Sequence, residues 1–125
     1  MIKLVFTLRR REDMTRVEFQ RYWRERHAPL VKRHADALHI RRYVQVHGLD
    51  TDLDEAVAGA RGSEPRFYDG VAELWWDSLE ELVAAFSSDA GQAAGGELLE
   101  DEKRFIDLPR SPLWFGEENV VIDAG

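Results

Sequence analysis

Apolar and polar positions change period several times along the chain. IKLVFTL (2–8) begins with alternation and is rich in β-branched and aromatic residues, which predicts a strand. The charged run RRRED (9–13) reads as a turn. Thr15 stands three residues before Glu18, the spacing of a capping box, and predicts a helix start. Phe19, Trp23, His27, Leu30, Val31 and His34 then recur at helical spacing and form one face, with Arg16, Arg21, Arg24 and Lys32 mainly off it. Pro29 lacks an N–H, so the pattern predicts a kink or break there, with helix resuming to about Ala37. HIRRYVQVHGL (39–49) reads as a second strand and FYDGVAELWWD (67–77) as a third. Between them, DLDEAVAGARG (52–62) reads as a loop with one helical turn. Ser78 caps a helix over SLEELVAAFSS, with Glu81 at the box position. Residues 89–107 open with a Gly-rich piece and end as a helix in which Leu98, Leu99, Glu102 and Phe105 mix core and solvent roles. PLWFGEENVVID (112–123) reads as the last strand region.

The order β-α-β-β-α-β, with right-handed crossovers, gives a ferredoxin-like α+β fold: a four-stranded antiparallel sheet with its helices on one face. Helices on one face leave the other bare. Some of Val44, Val46, Trp76, Trp114 and Phe115 are expected there, and a large uncovered apolar face predicts a partner, most simply a second copy packed sheet to sheet. The segment SSDAGQAAGG (87–96) carries three glycines, each costing a helix roughly 1 kcal/mol against Ala. It is therefore expected to act as a lid over a ligand site.

Composition narrows the function classes. A chain of 125 residues has the size of one domain, 1–125. It has no cysteine, which excludes disulfides, thiolate nucleophiles and Cys-ligated metal sites, and fits the cytoplasm. The N-terminal apolar run is too short for a signal peptide, and nothing approaches a membrane span. Net charge is -7, divided unevenly: residues 1–50 hold 12 Lys/Arg against 6 Asp/Glu, and residues 51–125 hold 5 against 18. The basic half carries no nucleic-acid motif, and its arginines fall on the wet face of a helix, so no nucleic-acid partner is expected.

Phe19, Tyr22-Trp23 and His27-Ala28-Pro29-Leu30-Val31 resemble the F-x-x-Y-W-x-x-x-H-A-P-L-V signature of EthD-domain proteins. YVQVH (43–47), DGVAELWWDS (69–78) and DEKRFID (101–107) are similar too. The resemblance spans nearly the whole chain. It implies a dimeric α/β-barrel, a superfamily that includes polyketide cyclases, cofactor-free monooxygenases, muconolactone isomerases and haem-degrading enzymes. It specifies the fold far better than the reaction, and a haem role rests on that analogy alone.

Four groups of residues can carry chemistry. His27, on the apolar helix face, is either a buried neutral imidazole bonded to a carbonyl freed by Pro29, or a general acid/base lining a pocket. His39, Arg41, Tyr43, Gln45 and His47 share one strand face, which suits either a pocket wall or a partly wet sheet edge. Asp69 and Glu73 lie ~13 Å apart on a strand at ~3.3 Å per residue, too far for a glycosidase-type pair. Glu73, within an apolar run, needs a partner such as Arg41 or Arg42, or a raised pKa. The four histidines are scattered, without metal-ligand spacing, so no metal and no cofactor are expected.

The resulting expectation is a cytoplasmic homodimer that binds a hydrophobic, aromatic or polyketide-like small molecule. As an enzyme it would be a cofactor-independent oxidoreductase or monooxygenase, or a cyclase or dehydratase. His27 would be the acid/base, Tyr43 and His47 would orient substrate, and Trp23, Gln45, Glu73 and Trp75 would contact it. The alternative is an accessory dimer that binds a metabolite or a partner oxygenase.

Overall fold

The central strand β1 (Ile2–Leu8) pairs antiparallel on one side with β3 (Gly70–Trp76) and on the other with β4 (Leu113–Gly116). β2 (Arg42–His47) pairs antiparallel with β3, so the sheet order is β2-β3-β1-β4. This is the ferredoxin-like α+β arrangement. The structure, a computed structural model, describes residues 1–125. No helix in it is long and apolar enough to cross a membrane.

Strand register decides what the helices cover. Leu4 pairs with Leu74 and Phe115, Phe6 with Ala72 and Leu113, and Tyr43 with Leu74, so these share the helix-facing side. Lys3, Val5, Val44, Glu73, Trp75 and Trp114 occupy the other side by the same alternation. The expected open face is thus corrected at two positions. Trp76 and Phe115 face the helices, and Trp76 is buried, its indole N–H donating to the Leu38 carbonyl at 2.7 Å. Trp75 takes the open side instead. Lys3 and Arg42 lie over its ring, and its N–H donates to Glu118 of the C-terminal segment.

The first helical stretch begins as the sequence predicts. Thr15 accepts from the Glu18 N–H and Glu18 accepts from the Thr15 N–H, a closed capping box ahead of α1 (Arg16–Tyr22). Pro29 neither breaks nor ends the helix. One wide turn of π-helix, Trp23–His27, takes up the strain, with the Ala28 N–H donating back to the Trp23 carbonyl, and α2 (Ala28–His34) continues.

Three other expectations are corrected. The stretch after β2 forms a full helix, α3 (Leu53–Ala60), which buries none of its residues. The Gly-rich stretch is helical rather than an open segment before a helix. Ser78 caps α4 (Leu79–Ser87), and Ser88 then caps α5 (Asp89–Glu102), so residues 89–96 are helical. Gly91 explains why glycine is used. A Cβ there would stand 1.7 Å from the Ala85 carbonyl oxygen, so glycine permits the close approach of α5 to the end of α4. The last strand is also shorter than expected. β4 ends at Gly116, and Val120, Val121 and Ile122 are exposed beyond it.

Helices and sheet enclose two apolar clusters. One joins Phe6, Leu8, Phe19, Trp23, Ala72, Phe105 and Ile106. The other joins Val31 and Leu38 to Ala94 and Leu98 of α5.

Candidate active site

Between these two clusters the packing leaves a cavity of about 150 Å³. Both clusters line it, Phe6, Trp23 and Ile106 from one and Val31, Leu38 and Leu98 from the other. Fifteen of its eighteen lining residues are hydrophobic. The remainder are Gly95, His27 and Glu102, and Tyr43 adds its phenol. No Lys or Arg lines the cavity. It is an apolar space with a few polar groups, the composition of a small-molecule site.

His27 is placed by the wide helical turn just before Pro29. The ring is buried and packs against Phe105, centroids 5.0 Å apart. Its Nδ1 lies 2.7 Å from Oδ2 of Asp101. Nε2 makes no hydrogen bond within the protein. The partner is therefore a carboxylate, not the carbonyl expected near Pro29. Burial lowers the pKa of His27, with Asp101 opposing the shift. The ring is neutral at pH 7, with the Nδ1 proton on the Asp101 side and the Nε2 lone pair free.

Asp101 is itself held on three sides. The Tyr22 hydroxyl donates to Oδ1 at 2.5 Å and Arg104 donates to the same oxygen at 3.2 Å, while His27 takes Oδ2. Burial pushes its pKa up, but Tyr22, His27 and Arg104 together outweigh burial and leave it below the ordinary value. A fixed carboxylate behind a histidine sets its tautomer and supports positive charge when the ring takes a proton.

Glu102, the next residue on α5, has the opposite environment. It makes no hydrogen bond and no ion pair within the protein, and it lines the cavity. Burial, reinforced by the neighbouring Asp101 charge, raises its pKa to about 7. Adjacent carboxyls thus divide into an ionised one behind His27 and one that is substantially protonated at neutral pH.

Tyr43 lines the cavity from β2. Burial raises its pKa to about 12, so it stays a neutral phenol. Its oxygen accepts from the Gln45 amide at 2.9 Å, leaving its own proton free. Gln45 also donates to the Trp23 carbonyl at 2.9 Å, and its oxygen pairs with His47 Nε2 at 2.8 Å. His47 stacks on Trp23, centroids 4.4 Å apart, and burial lowers its pKa. Gln45 and His47 therefore stand behind Tyr43 and Trp23 and do not line the cavity. Gly70 makes room for Trp23, since a Cβ there would lie 2.6 Å from the indole.

Of the sequence candidates, His27, Tyr43 and Trp23 converge on the cavity. Glu73 and Trp75 do not, because alternation puts them on the opposite side of the sheet. Glu73 pairs with Lys3, not with the expected arginines. Asp69, buried outside the cavity, accepts from the Arg10 N–H at 2.9 Å and pairs with its guanidinium. No group of three or more His, Cys, Asp or Glu side chains is arranged to hold a metal ion. Sequence reasoning missed Tyr22, Asp101 and Glu102. The available signal was that residues 101 and 102 follow Leu98 by three and four, on the core side of a helix.

The family model for the EthD domain matches residues 11–109. The chain belongs to the EthD-domain family. Among solved structures, an EthD family protein from Bacillus halodurans is 22% identical, with 95% of this chain and 99% of that chain covered and a TM-score of 0.63. An EthD-like protein from Ralstonia eutropha is 23% identical over 98% of this chain and 94% of that one, with a TM-score of 0.61. SnoaB, a cofactor-independent oxygenase from Streptomyces nogalater, is 12% identical over 97% and 95%, with a TM-score of 0.56. At these identities the likeness is one of fold. No match is found among curated proteins. Within the EthD match lie both halves of the cavity's polar lining, His27 and Tyr43 before α4 and Glu102 at the end of α5.

Proposed function

We propose that this EthD-family protein binds a small, neutral, largely apolar molecule in the cavity and removes a proton from it with His27. The observation that carries this reading is the His27–Asp101 pair, with Nδ1 fixed on a buried carboxylate and Nε2 unbonded at an apolar cavity. A carboxylate or phosphate on the ligand would find no cation there and would face Glu102. Tyr43 is the hydrogen-bond donor for a ligand oxygen. The chemistry is cofactor-independent in this reading, since about 150 Å³ gives no room for a flavin or haem beside a substrate. Tautomerisation, cyclisation by a carbanion and reaction of a carbanion with oxygen all begin with such a proton transfer. SnoaB, similar in fold, is named a cofactor-independent oxygenase.

The accessory alternative expects a space filled by Trp23 and Trp75. Trp23 borders the cavity and Trp75 lies elsewhere, which favours the enzymatic reading. The protein is further proposed to act as a homodimer through the side of the sheet that carries Val44, Val46 and Trp114.

Phenol is a suitable test ligand, being neutral, aromatic and small. Titration followed by NMR should shift the His27 imidazole nitrogens, the Tyr43 ring and the methyls of Val31 and Leu98 together. Leu74→Trp, which fills the cavity from β3, should abolish those shifts. Shifts confined to surface residues, or unchanged by Leu74→Trp, would count against the site.

A further inference from the structure

We infer that Glu102 is a second catalytic group, a proton donor at the same cavity as the base His27, and that the substrates are neutral ketones that enolise. The inference rests on the reading of His27 as the base, and it adds a residue and a substrate class to it.

Geometry carries the assignment. Glu102 is the one carboxyl at the cavity, and nothing in the protein uses it. Glu102 is half-buried, and a carboxyl at an apolar cavity with no partner in the protein is available to a ligand oxygen. An ionised Glu102 would meet no counter-charge there. A protonated Glu102 would offer an O–H to a carbonyl oxygen. The titratable groups around it are few. Asp101 is beside it on α5 but turned to Tyr22, His27 and Arg104, His27 faces the cavity from the helical turn before α2, and Tyr43 faces it from β2. β1, β3, β4 and α4 present only apolar lining, and Lys103 and Arg104 are exposed. The raised pKa of Glu102 and the lowered pKa of His27 agree with this division. Titratable pairs whose environments push them in opposite directions are a recurrent arrangement for acid–base work.

The step balances without any other reactant. His27 Nε2 takes a proton from the carbon next to the carbonyl. The C–H electron pair forms a C=C bond, and the carbonyl π pair moves onto oxygen. That oxygen takes the proton from Glu102, with Tyr43 also donating a hydrogen bond. The product is the enol, an isomer of the ketone, which is a phenol where the ketone belongs to a cyclic dienone. A proton passed back from the imidazolium to the Glu102 carboxylate restores the starting protein. Nothing is oxidised or reduced.

Cyclohexanone in deuterium oxide tests this, because enolisation exchanges its α-protons and NMR follows the loss. The full chain should accelerate exchange well above an equal concentration of free imidazole. The rate should rise with pH as His27 becomes neutral and fall above about pH 7 as Glu102 ionises. Glu102→Gln should slow exchange at least tenfold and remove the fall at high pH. Glu102→Asp, which keeps the proton, should restore part of the rate. Circular dichroism and the phenol titration confirm that each variant folds and binds. His27→Asn should abolish the acceleration in every background. If His27→Asn abolishes exchange while Glu102→Gln matches the parent in rate and pH profile, Glu102 is not the acid and the reading of His27 stands. If the parent binds phenol but does not accelerate exchange at all, the assignment of enolisable ketones is overturned.

Discussion

Glu102→Gln is a stability experiment as well as a kinetic one. Glu102 ionises near its ordinary value of 4.5 in the unfolded chain and near 7 in the folded one. Between these values the unfolded state releases a proton that the folded state keeps. The contribution of Glu102 to stability is therefore fully present below pH 4.5 and is lost as pH rises through 7. A shift of this size is worth about 3 kcal/mol, at 1.36 kcal/mol per pKa unit. Gln has nearly the same shape and does not titrate. The variant should resemble the parent in stability near pH 4.5 and exceed it by up to about 3 kcal/mol at pH 8. Urea denaturation at both pH values and one protein concentration measures this, because the difference between parent and variant cancels groups common to both. His27 contributes in the opposite sense. Its folded pKa lies below 6.5, so its contribution is present above that pH and is lost as pH falls through the folded value. A gap between parent and Glu102→Gln that is the same at pH 5 and pH 8 would mean that Glu102 is solvated, and the cavity assignment would fall with it.

Three further outcomes follow from the packing. Gly91→Ala must push α5 away from the Ala85 carbonyl, which cannot yield, so it should cost about 2–3 kcal/mol or more, read from the shift in urea midpoint. Asp101→Asn should cost on the order of 1–3 kcal/mol and lower the His27 pKa further by removing its anionic partner, as an NMR titration of the imidazole would show. An unchanged His27 pKa would separate the two residues. Sedimentation of the parent should give a dimer, and Val46→Glu, on the open side of the sheet, should give a folded monomer. A monomeric parent at micromolar concentration would refute the proposed assembly.

The legible part of this protein was the part set by period. Alternation in Tyr43-Val44-Gln45, the capping box at Thr15 and the N-cap at Ser78 fixed strands and helix starts, because these signals depend on neighbours within one turn. Pro29 misled in a specific way. A missing N–H has to be accommodated, but a wide turn ahead of it does so as well as a break, and sequence does not distinguish the two. The glycines of 91–96 misled for the converse reason. Glycine lowers helix propensity locally, yet here the close crossing of α4 and α5 requires it at Gly91, and tertiary contact decides.

The site divides along the same line. His27, Trp23 and Tyr43 were visible because aromatic and polar residues on an apolar face are conspicuous. Asp101 and Glu102 were not, because nothing local to DEKR says which of its charges meets a cavity. What separates them is the rest of the fold. Asp101 gains Tyr22, His27 and Arg104 and stays ionised, while Glu102, a hundred degrees further round the helix, meets the gap between two apolar clusters. No local pattern encodes that difference. It arises where a helix from the end of the chain crosses one from its beginning, so the second carboxyl becomes a candidate only when the cavity beside it is seen. A helix carrying Asp-Glu with an apolar residue three and four positions earlier is a pattern worth testing for such a divided pair, since one position can face a histidine while the other faces a ligand.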